Sequence, residues 1–243
     1  MLRTLIVTPT YNERENLDTF VAGVREAAPE ADLLIVDDAS LDGTGAAADA
    51  IAARDAHVRV MHRAGKLGLG TAYVEAFRRG ISDGYERFVE MDADLSHDPR
   101  YLADLLGALA DGADVVLGSR NVPGGGVEGW GPLRTFISKG GSLYARIVLG
   151  IGVRDLTTGY KAFTRAALTA IDFESVRSNG YCFQIEMTYR ALRAGLRVVE
   201  VPIVFVDRRA GQSKMSGRIF LEALMKLWRI RLDAYRKPSV SPR

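Results

Sequence analysis

Apolar and polar positions along the chain fall into short β-rich runs separated by longer stretches with helical spacing. The runs are TLIVT (4–8), DLLIVDD (32–38), HVRVMH (57–62), RFVEMD (87–92) and ADVVLGS (113–119), each bounded by Pro, Gly, Asp or Ser and short enough for a buried strand. Between them lie ENLDTFVAGVREAA (15–28), GTGAAADAIAARD (43–55), GTAYVEAFRRGISDG (70–84) and PRYLADLLGALADG (99–112), with Gly or Pro near several ends. Repeated βα units predict an α/β fold with a mainly parallel sheet and helices on both faces. GGGVEGWGP (124–132) reads as a flexible loop, because helical and strand patterns resume after it. A last helix is predicted from Arg218 to Arg236, with Arg218, Glu222, Lys226, Arg229, Asp233 and Arg236 in a polar stripe and Ile219, Phe220, Leu224, Leu227, Trp228, Ile230 and Tyr235 over the rest.

Four of the β-rich runs finish in polar residues: TPTYNE (8–13), DDASLD (37–42), DADLSHD (92–98) and Ser119–Arg120. Open α/β sheets bind ligands beyond the carboxyl ends of their strands, so these four ends make one candidate site. Each alone reads as an ordinary turn or N-cap, and Asp42 is kept in that role. Asp92 and Asp94 are different. If the extended conformation persists, the period-2 geometry of a strand end brings both carboxylates to one side, where they repel unless a divalent cation lies beside them. Hard oxygen ligands suit Mg2+ or Mn2+, which keep water and phosphate oxygens as their other ligands. A diphosphate is therefore expected there.

At 243 residues and 47% hydrophobic, the chain can bury a full core as one domain plus a tail. Its net charge of +2 argues for neither nucleic acid nor an acidic partner. The distribution is uneven, since Arg208 to Arg243 holds ten Lys or Arg against two acids. The single cysteine, Cys182, excludes an internal disulfide and a Cys-rich zinc site, and reads as a packed small hydrophobe. MLRTLIVTPTYNERE does not read as a signal peptide, and no stretch has the roughly 18 uncharged apolar residues of a spanning helix. His97 lacks the companions of a metal cluster, and His57 and His62 lie in a strand pattern without chemistry. GKLGLG (65–70) is not a Walker loop, because G-x-x-x-x-G-K-[ST] is absent.

PTYNERENL (9–17), VDDASLDGT (36–44), GKLGLGTAY (65–73) and MDADLSHDP (91–99) together resemble the inverting glycosyltransferases of family two, with the GT-A nucleotide-sugar fold. GSRNVPGGGVEGWGPLRTFISKGG (118–141), DLTTGYKAF (155–163), NGYCFQIEM (179–187) and EVPIVFVDRRAGQSKMS (200–216) narrow the resemblance to the polyprenyl-phosphate mannose synthases. It runs from about Thr8 to Ser216 and resembles the form with the catalytic domain alone, which is expected over 1–210, with a basic loop and amphipathic helix over 211–243.

The resemblance implies inverting transfer of mannose from GDP-mannose to a polyprenyl (dolichyl-type) monophosphate. It assigns Pro9, Tyr11 and Glu13 to the nucleotide, Val36, Asp37 and Asp38 to the base and ribose, and Ala93 to the donor beside the metal ligands Asp92 and Asp94. Many relatives have Gln where this chain has Ser96, and water could fill that coordination position. Arg120, Arg134 and Ser138 match acceptor-phosphate positions, Arg208 and Lys214 a basic loop at the diphosphate, and Gln184 a position facing either the sugar or the core. The residues expected to act on the reaction are Asp94, Arg120, Arg208 and Lys214, with Asp94 serving the metal and not as a base, since a phosphate monoester with a second pKa near about 6 is already anionic. A sister enzyme using a UDP-sugar and a non-catalytic nucleotide or polyanion binder are the other readings. A lipid acceptor implies a place on the cytoplasmic face of a membrane, where the 218–236 helix either lies in the bilayer interface or docks on the domain's own sheet, the apolar stretch 136–151 forms the lip over which the lipid enters, and a membrane anchor protein is the other source of anchoring.

Overall fold

The computed structural model describes residues 2–207 and 227–232. Arg208, Lys214 and most of the helix expected over 218–236 lie outside them.

Three βα units open the chain: β1 (Thr4–Thr10), α1 (Arg14–Ala27), β2 (Asp32–Asp37), α2 (Thr44–Ala52), β3 (Val58–His62) and α3 (Leu69–Ser82). Then come β4 (Arg87–Glu90), a 3-10 turn at Pro99–Tyr101, α4 (Leu102–Ala110), β5 (Val115–Ser119), β6 (Gly126–Glu128) and the long α5 (Pro132–Leu149). β7 (Lys161–Thr164), α6 (Arg165–Ile171), a second 3-10 turn at Phe173–Ser175, α7 (Tyr181–Arg193), β8 (Val198–Pro202), β9 (Val204–Val206) and a helical segment at 227–232 complete the described elements.

The main sheet runs β3-β2-β1-β4-β7-β5-β8, with β7 antiparallel to both neighbours and the other pairs parallel. Alternation along the strands builds two cores. In β1, Ile6 faces α1, α2 and α4, while Leu5 and Val7 face α3, α6 and α7; in β2, Leu33 and Ile35 oppose Leu34 and Val36 in the same way. The expected mainly parallel sheet between two helical layers is therefore present. A third cluster joins α5 to α7 through Ala145, Val148, Leu149, Ile185 and Tyr189, with Leu227 seated on it.

Two expectations need correction. GGGVEGWGP is more than a loop: its Gly126–Glu128 pairs in parallel with Val204–Val206 as a separate ribbon, a pairing across nearly eighty residues that local composition does not encode. The β4 strand ends at Glu90, and Leu95 adopts a left-handed backbone (φ 62°), so strand alternation does not carry through Asp94. A compact loop, not an extended strand end, sets the directions of the two acids.

Candidate active site

Strand order reverses at the β1/β4 pair, β2 and β3 lying to one side and β7, β5 and β8 to the other. The crevice beyond the carboxyl ends of such strands is where an open α/β sheet receives a ligand. TPTYNE leaves β1, DDASLD leaves β2 and DADLSHD leaves β4.

Asp94 is buried, and its Oδ1 accepts hydrogen bonds from the backbone N–H of Ser96 at 3.1 Å and from the Ser96 hydroxyl. Ser96 thus orients Asp94. Asp92 is more open, its side chain 31% exposed, and its backbone N–H donates to His97 Nδ1 at 3.2 Å. An accepting Nδ1 leaves the neutral ring's proton on Nε2. The buried His97 ring lies against Tyr160 and edge-on to Phe205, with centroids 5.1 and 5.5 Å away. A Cβ on Gly159 would come within 3.2 Å of Asp92 Oδ2 and 3.3 Å of the His97 ring, so glycine keeps room beside Asp92. Among the described residues no three His, Cys, Asp or Glu side chains come together as a metal cluster. Two hard carboxylates, one buried and one half-open, still suit a cation that completes its shell with water and diphosphate oxygens.

The β2 acids are each hydrogen-bonded to the segments around the crevice. Asp37 accepts from the Thr10 hydroxyl at 3.3 Å and from the backbone N–H and hydroxyl of Ser40. Asp38 accepts from the buried Arg63 guanidinium at 2.5 Å and the Gly68 N–H at 3.1 Å, while Arg63 also donates to Glu75 and Thr71. The GKLGLG turn is thereby tied to β2, and Lys66 Nζ comes 3.7 Å from the Tyr11 ring centre, a cation–π distance. Pro9 and Val36 face each other in register on β1 and β2. Glu13 receives the Asn16 amide at 2.9 Å, and its backbone N–H donates to the Thr44 hydroxyl. Asp42 stays structural as expected, accepting from Thr44 and from the Arg14 N–H.

On the other side of the switch point stand the arginines. Arg120 is locked in a fork on Asp155, with Nε and Nη2 each 2.7 Å from a carboxylate oxygen and Nη2 also 2.8 Å from Thr157. Burial pushes the Asp155 carboxyl up, but the Arg120 charge and its hydrogen bonds outweigh this and hold it below the usual range. Nη1 is the Arg120 side-chain nitrogen without a hydrogen bond among the described residues. Arg134, on the first turn of α5, donates to Asp207 at 2.8 Å and lies over the Trp130 ring at 4.3 Å. Ser138 follows one turn later on the same helix.

Gln184 and Glu186 both lie on α7. Gln184 is buried in α7 at 2% exposure, and Glu186 is bonded to Ser178 and Arg190. Beside Gln184 lies a buried pair that the sequence reading passed over: Glu90 and Lys161 face each other across β4 and β7, both fully buried. Burial pushes Glu90 up to about 7 against the pull of the Lys161 charge, and lowers Lys161 to about 8 against that of Glu90 and Asp155. Lys161 Nζ donates to the Gln184 carbonyl at 2.6 Å and to Thr188 at 3.0 Å. The terminal acid of RFVE and the lone Lys of GYKAF carried this signal, though not the pairing.

The chain belongs to glycosyl transferase family 2, whose family model matches residues 5–171. It is a glycosyltransferase of the α/β GT-A type. Over 232 residues it is 51% identical to polyprenol monophosphomannose synthase of Mycolicibacterium smegmatis, covering 94% of this chain and 88% of that protein. Over 233 residues it is 51% identical to undecaprenyl-phosphate mannosyltransferase of Micrococcus luteus, covering 96% of each. The resemblance seen in the motifs is borne out by both. Among solved structures, a mannosyltransferase of Pyrobaculum calidifontis in complex with GDP-Man and Mn2+ superimposes with a TM-score of 0.59 over 97% of this chain and 74% of that one. At 18% identity this likeness shows the fold alone.

Proposed function

We propose that this glycosyltransferase moves mannose from GDP-mannose to the phosphate of a polyprenyl monophosphate, inverting the anomeric carbon and releasing GDP. The observation that carries the reading is the 51% identity, over nearly the whole chain, to two proteins named for making that class of product. The geometry supports it by facing an acidic, diphosphate-seeking crevice with an arginine-bearing one. Asp92 and Asp94 hold Mg2+ or Mn2+, which when bound neutralises charge developing on the leaving diphosphate.

The chain's own residues do the rest. Pro9, Tyr11, Glu13, Val36, Asp37 and Asp38 frame the nucleotide, and Ala93 lies between the two acids. Arg134, Ser138 and Nη1 of Arg120 gather the acceptor phosphate, whose oxygen attacks the anomeric carbon as the bond to the GDP oxygen breaks. The phosphate is already ionised, so no residue need remove a proton from it. Holding two anionic substrates together is the harder task, and Arg208 and Lys214 add cationic charge for it. Gln184, buried in α7 with neither amide atom hydrogen-bonded among the described residues, serves the sugar or the core beneath it.

The acceptor is a lipid, and α5 carries an exposed apolar surface for it. Phe136, Ile137, Leu143 and Ile147 are exposed there, joined by Trp228 and Leu232 of the helical segment 227–232. Trp228 donates to the Tyr144 hydroxyl, and Arg231 to the Val148 carbonyl, which docks that segment on α5. No helix among the described residues is long and apolar enough to cross a membrane. We place this face on the cytoplasmic surface of the membrane, with 1–210 as the catalytic unit and 211–243 as its basic, membrane-contacting extension. The test is transfer of radiolabelled mannose from GDP-mannose to polyprenyl phosphate with Mg2+, Mn2+ or EDTA. Metal-dependent product is expected; product from UDP-sugars alone moves the protein to the sister activity, and tight GDP binding without turnover makes it a binding module.

A further inference from the structure

Trp130 closes the GGGVEGW segment immediately before α5, and it has no role in the reading so far. Its ring is the meeting point of the arginine side of the site. The Arg134 guanidinium carbon lies 4.3 Å from the ring centre and that of Arg120 5.7 Å, while Phe205 packs edge-on at 5.5 Å. Phe205 in turn touches His97, the residue bonded to the Asp92 backbone, and sits 5.3 Å from the Arg120 guanidinium carbon. Trp130 follows the β6–β9 ribbon that carries Phe205, and Gly129 before it has φ 79° and a Cβ position 3.0 Å from Asp207. The indole Nε1–H is buried and has no hydrogen-bond partner among the described residues. A buried donor left unpaired is costly, so a native structure that keeps one beside two guanidinium groups calls for an acceptor.

We infer that Trp130 is a further binding residue for the phosphomonoester acceptor, its ring fixing the Arg134 and Arg120 guanidinium groups and its Nε1–H donating to a phosphate oxygen. This rests on the proposed acceptor chemistry and deepens it. An indole is a donor only and cannot be protonated or deprotonated in the working range, so it recognises an anion without adding charge. Cation–π contact on its faces and a hydrogen bond from its edge are geometrically compatible, since they use different parts of the ring.

The experiment separates the inference from the reading beneath it. Transfer from GDP-mannose to polyprenyl phosphate is measured for the wild type, Trp130→Phe and Trp130→Leu, with KM obtained for each substrate. Trp130→Phe keeps the stacked ring and loses the N–H; a rise in acceptor KM of about tenfold, with donor KM unchanged, is expected, and Trp130→Leu raises it further. A Trp130→Phe enzyme with wild-type acceptor KM overturns the inference, as does an equal rise in both KM values. If the wild type transfers nothing to any polyprenyl phosphate, the proposed function fails, and a second measurement decides Trp130 by itself. The chain has two tryptophans, so Trp228→Phe leaves Trp130 as the sole indole emitter. Titrating that variant with citronellyl phosphate should change the emission saturably, and citronellol should not; no change with the phosphate, or the same change with the alcohol, overturns the inference.

Discussion

The two sides of the switch point are built on opposite plans. On the donor side most acids stand at or just beyond a strand end, with partners within a few residues or on the adjacent strand: Asp94 with Ser96, Asp92 with His97, Asp37 with Ser40 and Thr10, while Asp38 reaches to Arg63 and Gly68. On the acceptor side each arginine is positioned from far along the chain: Arg120 by Asp155, Arg134 by Asp207, and the ribbon that carries Trp130 by Val204–Val206. Locally encoded geometry survives small disturbances elsewhere, whereas geometry assembled across the fold is lost when one remote partner goes. Variants on the two sides should therefore fail in different ways.

The largest effect is expected from the donor acids. Asp92→Ala and Asp94→Ala should each lower kcat for mannose transfer by on the order of 10²–10³-fold, the scale of losing one electrostatic stabiliser of a leaving group. Thermal stability should stay close to wild type for Asp92→Ala, since that side chain is partly exposed. Steady-state kinetics with saturating Mn2+ and a melting curve read both. A folded Asp92→Ala enzyme with wild-type kcat would remove the acid pair from the reaction.

Next comes the remote partner of Arg120. Asp155→Ala leaves a buried guanidinium without its counter-charge, which costs about 3–5 kcal/mol and should lower Tm by on the order of 10 °C in a domain of this size. Asp155→Asn adds a pH signature. The folded-state pKa of Asp155 lies below its ordinary 3.8, so the carboxylate stabilises the protein above that value, and the benefit is lost as pH falls through the lower folded-state value. Unfolding curves of the wild type should therefore drop more steeply below about pH 4 than those of Asp155→Asn. Parallel curves would mean that Arg120 and Asp155 are not coupled.

This contrast also explains what the sequence could and could not reveal. The five strand runs, the four intervening helices and the acid-tipped ends were legible because each depends on local periodicity and on residues a few places apart. Asp92 and Asp94 were singled out by their spacing, but the extended geometry expected of it is absent: the strand stops at Glu90, and a left-handed Leu95 turns the chain. β7, inserted antiparallel between β4 and β5, carries no local mark of its position, so the Glu90–Lys161 pair that spans it stayed hidden. Asp155, Asp207 and Trp130 stood in plain view within motifs, but their partners are tens of residues away or lie on a ribbon whose pairing is tertiary. Gln184 was placed by motif at the sugar or in the core; it is buried in α7, with neither amide atom hydrogen-bonded among the described residues.

The smallest effect expected is at the exposed apolar surface of α5 proposed to meet lipid, because it acts on encounter and not on chemistry. Phe136 and Ile147 are 75% and 68% exposed on α5, so replacing either with Asp removes little from the core and should leave Tm and GDP affinity near wild type. Each apolar side chain transferred from water to a bilayer interface is worth about 1.5–3 kcal/mol when fully buried, and partial insertion keeps a fraction of that. Phe136→Asp, Ile147→Asp and their combination should thus weaken binding to anionic vesicles by about three- to tenfold per site, while turnover of citronellyl phosphate in detergent-free solution is unchanged. Co-sedimentation with vesicles of mixed phosphatidylcholine and phosphatidylglycerol reads the first quantity and mannose transfer to the short acceptor the second. If the double variant sediments like the wild type, membrane contact lies elsewhere, and the apolar face of α5 serves the acceptor chain or a partner protein; if transfer to the short acceptor falls as well, α5 belongs to the acceptor-phosphate site itself and the division between surface and chemistry drawn here must move outward along the helix.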